Sequence, residues 1–302
     1  MNARDAHLLR LFSRACDDTG MNAAFAHIAV PVDGSTTAER GVAFALELAR
    51  GGGAVTFCSV ADPSLVCLPS AYGVAVDPGP MLTVLEDDAA EFCRHAQAEA
   101  ADAGILADVQ VLHGQCVEAI GSLVRQNGSG AIVVGTHGRT GLARSVLGSV
   151  AEGLLRHSDV PVIAVHEDDV TRTGPIAVAL DESPAAHAAL ETAIGIASAR
   201  GIPIALIHAC DVAAPDPDRM NALMTGAVKR VRARGVSAQV IVREGRAADV
   251  LLAAADELGC CMIVMGTHGR PLFKRLVLGS VAAYVVEHAK LPVVTVRRTI
   301  SA

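Results

Sequence analysis

The chain has 302 residues, enough for two average domains, and is 51% hydrophobic but only 3% aromatic with no tryptophan, so Ala, Val, Leu and Ile must build its core. A net charge of −7 with a pI near 5.9 supplies no general attraction to nucleic acid or anionic lipid, and no dense basic run offers a local one. Mean hydropathy is positive at +0.41, yet charge, Pro or Gly breaks each apolar run short of the roughly 18 to 20 residues that a membrane span needs.

Residues 1–23 read as an N-terminal extension, because Asp5, Arg10 and Arg14 hem the patch LLRLF and no Ala-x-Ala-like site closes a signal peptide. From residue 24, short β-branched runs alternate with longer helical patterns. IAVPV, AVTFCSV, DVQVLH, AIVVG and PVIAV are largely apolar and bounded by Gly, Pro or Asp, which predicts strands covered by helices on both faces. TAERGVAFALELARG, LEDDAAEFCRHAQAEAADAG and CVEAIGSLVRQNGSG carry a spacing near 3.6 and end at Gly, a residue suited to the C-cap. The order β-α-β-α-β-α-β-α-β predicts an open, doubly wound sheet. HEDDVTRTG then reads as a linker, and the same plan runs again from IAVAL to PVVTV.

That second run is an internal repeat. GTHGRTGLARSVLGSVA, from Gly135, returns 131 residues later as GTHGRPLFKRLVLGSVA; VQVLHGQCVEAI returns at the same offset as VIVREGRAADVL. HIAVPVDGS is answered by PIAVALDES, but Asp33 and Asp181 are 148 apart, so the first copy holds 17 more residues. They fall in the Pro-rich stretch 63–83, read as a surface insertion. Two domains follow, 24–168 and 174–302. Eight Cys at irregular positions, with no Cys-x-x-Cys, spell neither a zinc site nor a disulfide scaffold, and buried thiols in a reducing cytoplasm fit best.

In a doubly wound sheet ligands bind at the carboxyl ends of the strands, where strand order reverses, and the glycine-punctuated loop falls there. Gly135 and Gly138 permit a tight turn and close backbone approach, while Gly148 and Ser149 open a helix with unsatisfied N–H groups and a positive dipole end. The frame Gly, two residues, Gly, nine residues, Gly-Ser recurs intact at Gly266, Gly269, Gly279 and Ser280. These are the parts of a phosphate cradle, though no Lys follows as in a Walker A loop, nor is there a Gly-x-Gly-x-x-Gly. His137 and His268 have no nucleophile beside them in the motifs to activate.

The frame, with an opening strand that ends VPVDGS, resembles the universal stress protein family, and two copies resemble its tandem type. The resemblance covers the chain apart from its first twenty-odd residues and the insertion. It implies two tandem open five-stranded parallel-sheet domains of the Rossmann-like, adenine nucleotide alpha hydrolase-like fold, paired through their last strands as an internal pseudo-dimer. It also implies a cytoplasmic protein that binds ATP, or ADP or AMP, with or without Mg²⁺. Asp33 would reach the adenosine, beside Pro31 and Val32, and Val60 would touch adenine. Gly135, Gly138, Gly148, Ser149 and Val150 would hold the phosphates. The matching second set is Asp181, Ala209, Gly266, Gly269, Gly279, Ser280 and Val281, where Ala209 for Val60 and Ala179-Leu180 for Pro31-Val32 put affinity in doubt. Arg139 and Arg270 are candidates to neutralise phosphate charge.

The leading reading is a nucleotide-binding stress-response protein that acts as a regulator or interaction protein rather than as a committed enzyme. An ATP-hydrolysing or ATP pyrophosphatase-like enzyme is the first alternative, but VDGSTT and LDESPA do not supply the Ser-Gly-Gly-x-Asp-Ser type of loop expected after the first strand. A nucleotide-free interaction module is the second. The expected partners are adenine nucleotide and the other half of the chain; neither nucleic acid nor membrane is expected, and a further homodimer stays open.

Overall fold

The computed structural model describes residues 25–50, 52–63, 79–138, 147–167, 169–210, 216–268 and 278–297. The first copy runs β1 (His27–Pro31), α1 (Thr36–Ala49), β2 (Ala54–Ala61), α2 (Gly79–Asp102), β3 (Leu106–His113), α3 (Cys116–Asn127), β4 (Ala131–Gly135), α4 (Ser149–His157) and β5 (Val162–Val165). The second runs β6 (Ile176–Ala179), α5 (Pro184–Arg200), β7 (Ile204–Cys210), α6 (Pro217–Ala233), β8 (Ala238–Glu244), α7 (Ala247–Glu257), β9 (Met262–Gly266), α8 (Ser280–His288) and β10 (Val293–Val296). Each expected strand and helix is present. The largest difference in a boundary is that the helix expected from Leu85 begins at Gly79. Pro80 is tolerated there because the first-turn N–H has no helical partner to lose. The end of stretch 63–83 is therefore helix, and residues 64–78 lie outside the described residues.

The two five-stranded sheets fuse into one of ten strands, ordered β3-β2-β1-β4-β5-β10-β9-β6-β7-β8. Pairing is parallel within each copy and antiparallel only where β5 meets β10. There Ile163 lies opposite Val294, flanked by Val162–Thr295 and Ala164–Val293. Ile163 and Val294 occupy equivalent positions of the repeat, so a pseudo-twofold axis passes between them, normal to the sheet. Val162 and Val293, the equivalent pair that sequence matching picks out at this junction, each face a different residue.

Strand residues alternate between two buried layers, because neighbouring side chains on a strand point to opposite faces. Ile28, Val30 and Val32 pack with Val42, Leu46 and Ala96 of α1 and α2, and the same layer continues through Leu190 and Ile194 of α5. Ala29 and Ile132 turn to the other face, against Leu123, Leu154 and Leu155, continuous with Leu251 and Val285 of the second copy. An axis normal to the sheet keeps equivalent helices on one face and reverses strand direction, so the carboxyl edges of the two copies point opposite ways. The linker is docked: Val170 N–H donates to the Lys290 carbonyl at 2.9 Å, and Arg172 pairs with Asp256 at 2.6 Å. Among the described residues no helix is long and apolar enough to cross a membrane.

Candidate functional site

The strand order reverses between β1 and β4 in the first copy and between β6 and β9 in the second, which opens a crevice at each carboxyl edge. Asp33 stands two residues past the end of β1, and its Oδ1 accepts from the Ser35 N–H at 3.0 Å and from the Ser35 hydroxyl at 2.6 Å. Ser35 also caps α1 by accepting from Ala38 N–H. Asp181 and Ser183 repeat the arrangement, with Ser183 N–H to Asp181 Oδ1 at 2.8 Å and Ala186 N–H to Ser183 Oγ at 3.1 Å. The serine holds Oδ1 of each carboxylate at the carboxyl edge of the sheet. Gly138 lies beside the other oxygen of Asp33: a Cβ on Gly138 would stand 2.9 Å from Asp33 Oδ2.

The glycine loop closes on itself at its far end. Gly148 N–H donates to the Thr136 carbonyl at 2.7 Å and Gly279 N–H to the Thr267 carbonyl at 2.9 Å. Those two N–H groups are therefore engaged. The first-turn N–H groups, Ser149 and Val150 in α4, Ser280 and Val281 in α8, have no side-chain cap among the described residues. Gly135 and Gly266 have a packing reason. A Cβ on Gly135 would stand 2.8 Å from the Thr37 backbone carbon, and one on Gly266 2.8 Å from that of Ala185.

In the second copy the expected residues meet around one cavity of about 400 Å³, within the range of small-molecule pockets. Ala179, Leu180, Asp181, Ala209, Gly266, Gly279, Ser280 and Val281 all line it. In the first copy Pro31 ends β1, buried Val32 and Asp33 follow it, and half-buried Val60 stands in β2, packed beside the second core layer. Arg139, Gly269 and Arg270 lie outside the described residues.

Sequence reasoning missed Ala247 and Leu251, which line the cavity from the start of α7. The signal was present, since VIVREGRAADVL is one of the repeated segments. Its counterpart in the first copy is Cys116, whose thiol is pushed up by burial and by the carboxylates of Asp62 and Asp33 nearby. It also missed the tie between α1 and the loop, in which the Thr37 hydroxyl donates to the His137 carbonyl. Ala185 stands in that place in the second copy and has no hydroxyl. His137 and His268 each set Nδ1 beside the preceding threonine hydroxyl, at 3.1 and 3.0 Å. Their Nε2 atoms are buried with no hydrogen-bond partner among the described residues. Among the described residues no group of three or more His, Cys, Asp or Glu could hold a metal ion.

Fold and crevices together define a tandem, doubly wound α/β protein with a glycine-bordered crevice at each carboxyl edge. The universal stress protein family model matches residues 24–166 and 173–297, and the chain belongs to that family. A universal stress protein of Mycolicibacterium smegmatis is 28% identical over 291 residues, covering 89% of this chain and 96% of the relative. One from Mycobacterium tuberculosis is 31% identical over 221 residues, covering 66% of this chain and 68% of its own. The crystal structure of a universal stress protein from Archaeoglobus fulgidus superposes with a TM-score of 0.74 at 23% identity, covering 90% of this chain and 98% of that one.

Proposed function

We propose that this protein binds ATP, or ADP or AMP, in one or both cradles, and that occupancy shifts the balance between its conformations or partners. It would act in a cytoplasmic stress response as a nucleotide-dependent regulator or interaction protein rather than as a committed enzyme. The observation that carries this reading is the convergence of Asp181, Ser280 and Val281 on one cavity, at a helix N-terminus that no side chain caps. The cavity has an apolar part, with Ile207, Ala209, Leu251 and Met265, suited to a base, and a polar end suited to phosphates. Mg²⁺ would enter with the phosphates.

Equilibrium dialysis against labelled ATP with Mg²⁺ tests this, using Ser149→Asp and Ser280→Asp. Both serines are exposed in the first turn of their helices, where Asp complements the dipole and leaves stability unchanged or slightly raised. The new carboxylate repels phosphate, and affinity at that cradle is expected to fall at least about tenfold. Two sites per chain, one lost in each variant, is the result for two working cradles; one site lost in only one variant identifies the copy that binds. No binding at millimolar ATP, or full binding by the double variant, overturns the proposal.

A further inference from the structure

A second, larger cavity of about 650 Å³ lies between the two copies, walled by α1, the end of α5 and the linker. It shares no lining residue with the cavity of the second cradle. Arg40, Phe44, Glu47 and Leu48 recur at helical spacing, so one face of α1 forms one side; Ile202, Met262 and Pro292 come from the second copy. Val170 also lines it and is 44% exposed, an apolar side chain left uncovered beside that space.

Arginines outnumber carboxylates among the described residues that line it. Arg40, Arg50, Arg172 and Arg200 line the cavity against the carboxylates of Glu47 and Asp169, in a chain whose net charge is −7. Arg200 and Arg50 both reach Glu47, at 2.7 and 3.3 Å. Arg172 pairs with Asp256 at 2.6 Å, and Asp169 faces His166 at 3.5 Å. Arg40 differs: its Nε donates to the Glu167 carbonyl at 3.0 Å, and no carboxylate among the described residues pairs with it. A guanidinium fork beside an apolar hollow is a receptor for an acidic head group on an apolar body. The phosphate-binding parts of the cradles are missing here, since the cavity meets α1 along its middle and last turns and α5 at its carboxyl end.

We infer that this interdomain cavity binds a small amphipathic organic anion, with its acidic head group on Arg40 and its apolar body against Phe44 and Ile202. The inference does not depend on nucleotide binding by the cradles. Decanoate is the probe, with decanol as its uncharged counterpart, followed by isothermal titration of the full chain. Arg40→Gln removes the charge; Ala43→Trp, at an exposed position of the same wall, fills the space. Thermal unfolding of both variants checks that they fold as the parent does.

The expected result is one decanoate per chain, an affinity about tenfold lower in Arg40→Gln as a charged hydrogen-bond pair is lost, and no binding in folded Ala43→Trp. Arg40→Lys, which keeps the charge but not the fork, should fall between. Saturating ATP should leave the decanoate stoichiometry unchanged. Four results overturn the inference: no saturable binding at millimolar decanoate, equal binding of decanol, binding unaffected by both substitutions, or displacement by ATP.

Discussion

Gly135 and Gly266 end their strands with Cα set against the first turn of the neighbouring helix, so their side-chain hydrogen is a requirement of packing. An Ala there would press a Cβ to within 2.9 Å of backbone atoms in α1 or α5, which cannot swing aside. Gly135→Ala and Gly266→Ala are therefore expected to cost about 1 to 3 kcal/mol each in urea unfolding. Among the described residues a Cβ at Gly138 meets a single side-chain oxygen, Asp33 Oδ2, rather than backbone, so Gly138→Ala should weaken nucleotide binding to the first cradle with a smaller loss of stability. Equal destabilisation by Gly138→Ala would show that this glycine, too, serves packing. His27 is another residue whose setting matters: it is 8% exposed, with Nε2 at 2.7 Å from Thr56 Oγ1. Burial lowers its pKa below 6.5, against the opposing pull of an Asn127 backbone hydrogen bond and the Asp108 charge. Above 6.5 the ring is neutral in both states; as pH falls below 6.5 the unfolded chain takes up a proton that the folded one resists, and stability is lost. His27→Gln should flatten that acid limb, by at most about 1.4 kcal/mol per pH unit, when unfolding is followed from pH 7 downward. The thiols behave as their burial dictates: Cys93 and Cys260 are both pushed up to about 11 by desolvation and stay protonated at neutral pH.

Among the helices, those that begin at the crevices fall into two kinds. α1 and α5 are capped by their own serines, Ser35 and Ser183, whereas α4 and α8 start at Gly148 and Gly279 with no side-chain cap. The first kind fixes a carboxylate; the second leaves its first-turn N–H groups without a side-chain cap among the described residues. Ser183→Ala should cost about 1 kcal/mol of stability by removing a cap, while Ser280→Ala, one position inside its helix, should leave stability nearly unchanged. Comparing their urea midpoints is a direct check, and a loss of equal size at Ser280 would mean that its hydroxyl caps α8 after all. The extra residues of the first copy also act at this scale. They lengthen α2 to 24 residues against 17 in α6, placing exposed Met81 and Val84 on the added turns.

Over the whole molecule, duplication makes one continuous sheet. An apolar closing strand with a bare edge demands a partner, and fusing two copies supplies it at an effective concentration of about millimolar order. The junction is short, four residues on each side, yet it is reinforced. Thr295 Oγ1 donates to the Val162 carbonyl at 3.2 Å, Arg297 to the Arg156 carbonyl at 2.7 Å, and Arg200 reaches Glu47 across the copies. Ile163 and Val294, at the axis, are 0% and 1% exposed. Ile163→Glu buries an unpaired charge at that point and should cost at least about 3 kcal/mol. The expected outcome is an enlarged radius of gyration by small-angle scattering, or unfolding in two steps; an unchanged radius with a single unfavoured transition would mean that the copies hold together without the strand junction.

The sequence by itself determined the alternation of strand and helix, the two copies, the carboxyl-edge location of the glycine loops and the family, because periodicity, turn residues and repeat spacing are local properties of the chain. Asp33, Asp181, Ser149 and Ser280 were legible for the same reason, each standing at a strand or helix end that the pattern marks. Only the tertiary structure decided which glycines serve packing, since Thr37 and Ala185 lie roughly a hundred or fewer residues from the glycines they press upon and no pattern records that closeness. It alone set the facing pairs at the junction, Ile163 with Val294 rather than Val162 with Val293, because antiparallel register depends on where the axis falls. Ala247 and Leu251 at the second cradle, and the arginine-lined cavity between the copies, likewise exist only once segments distant in the chain have packed together.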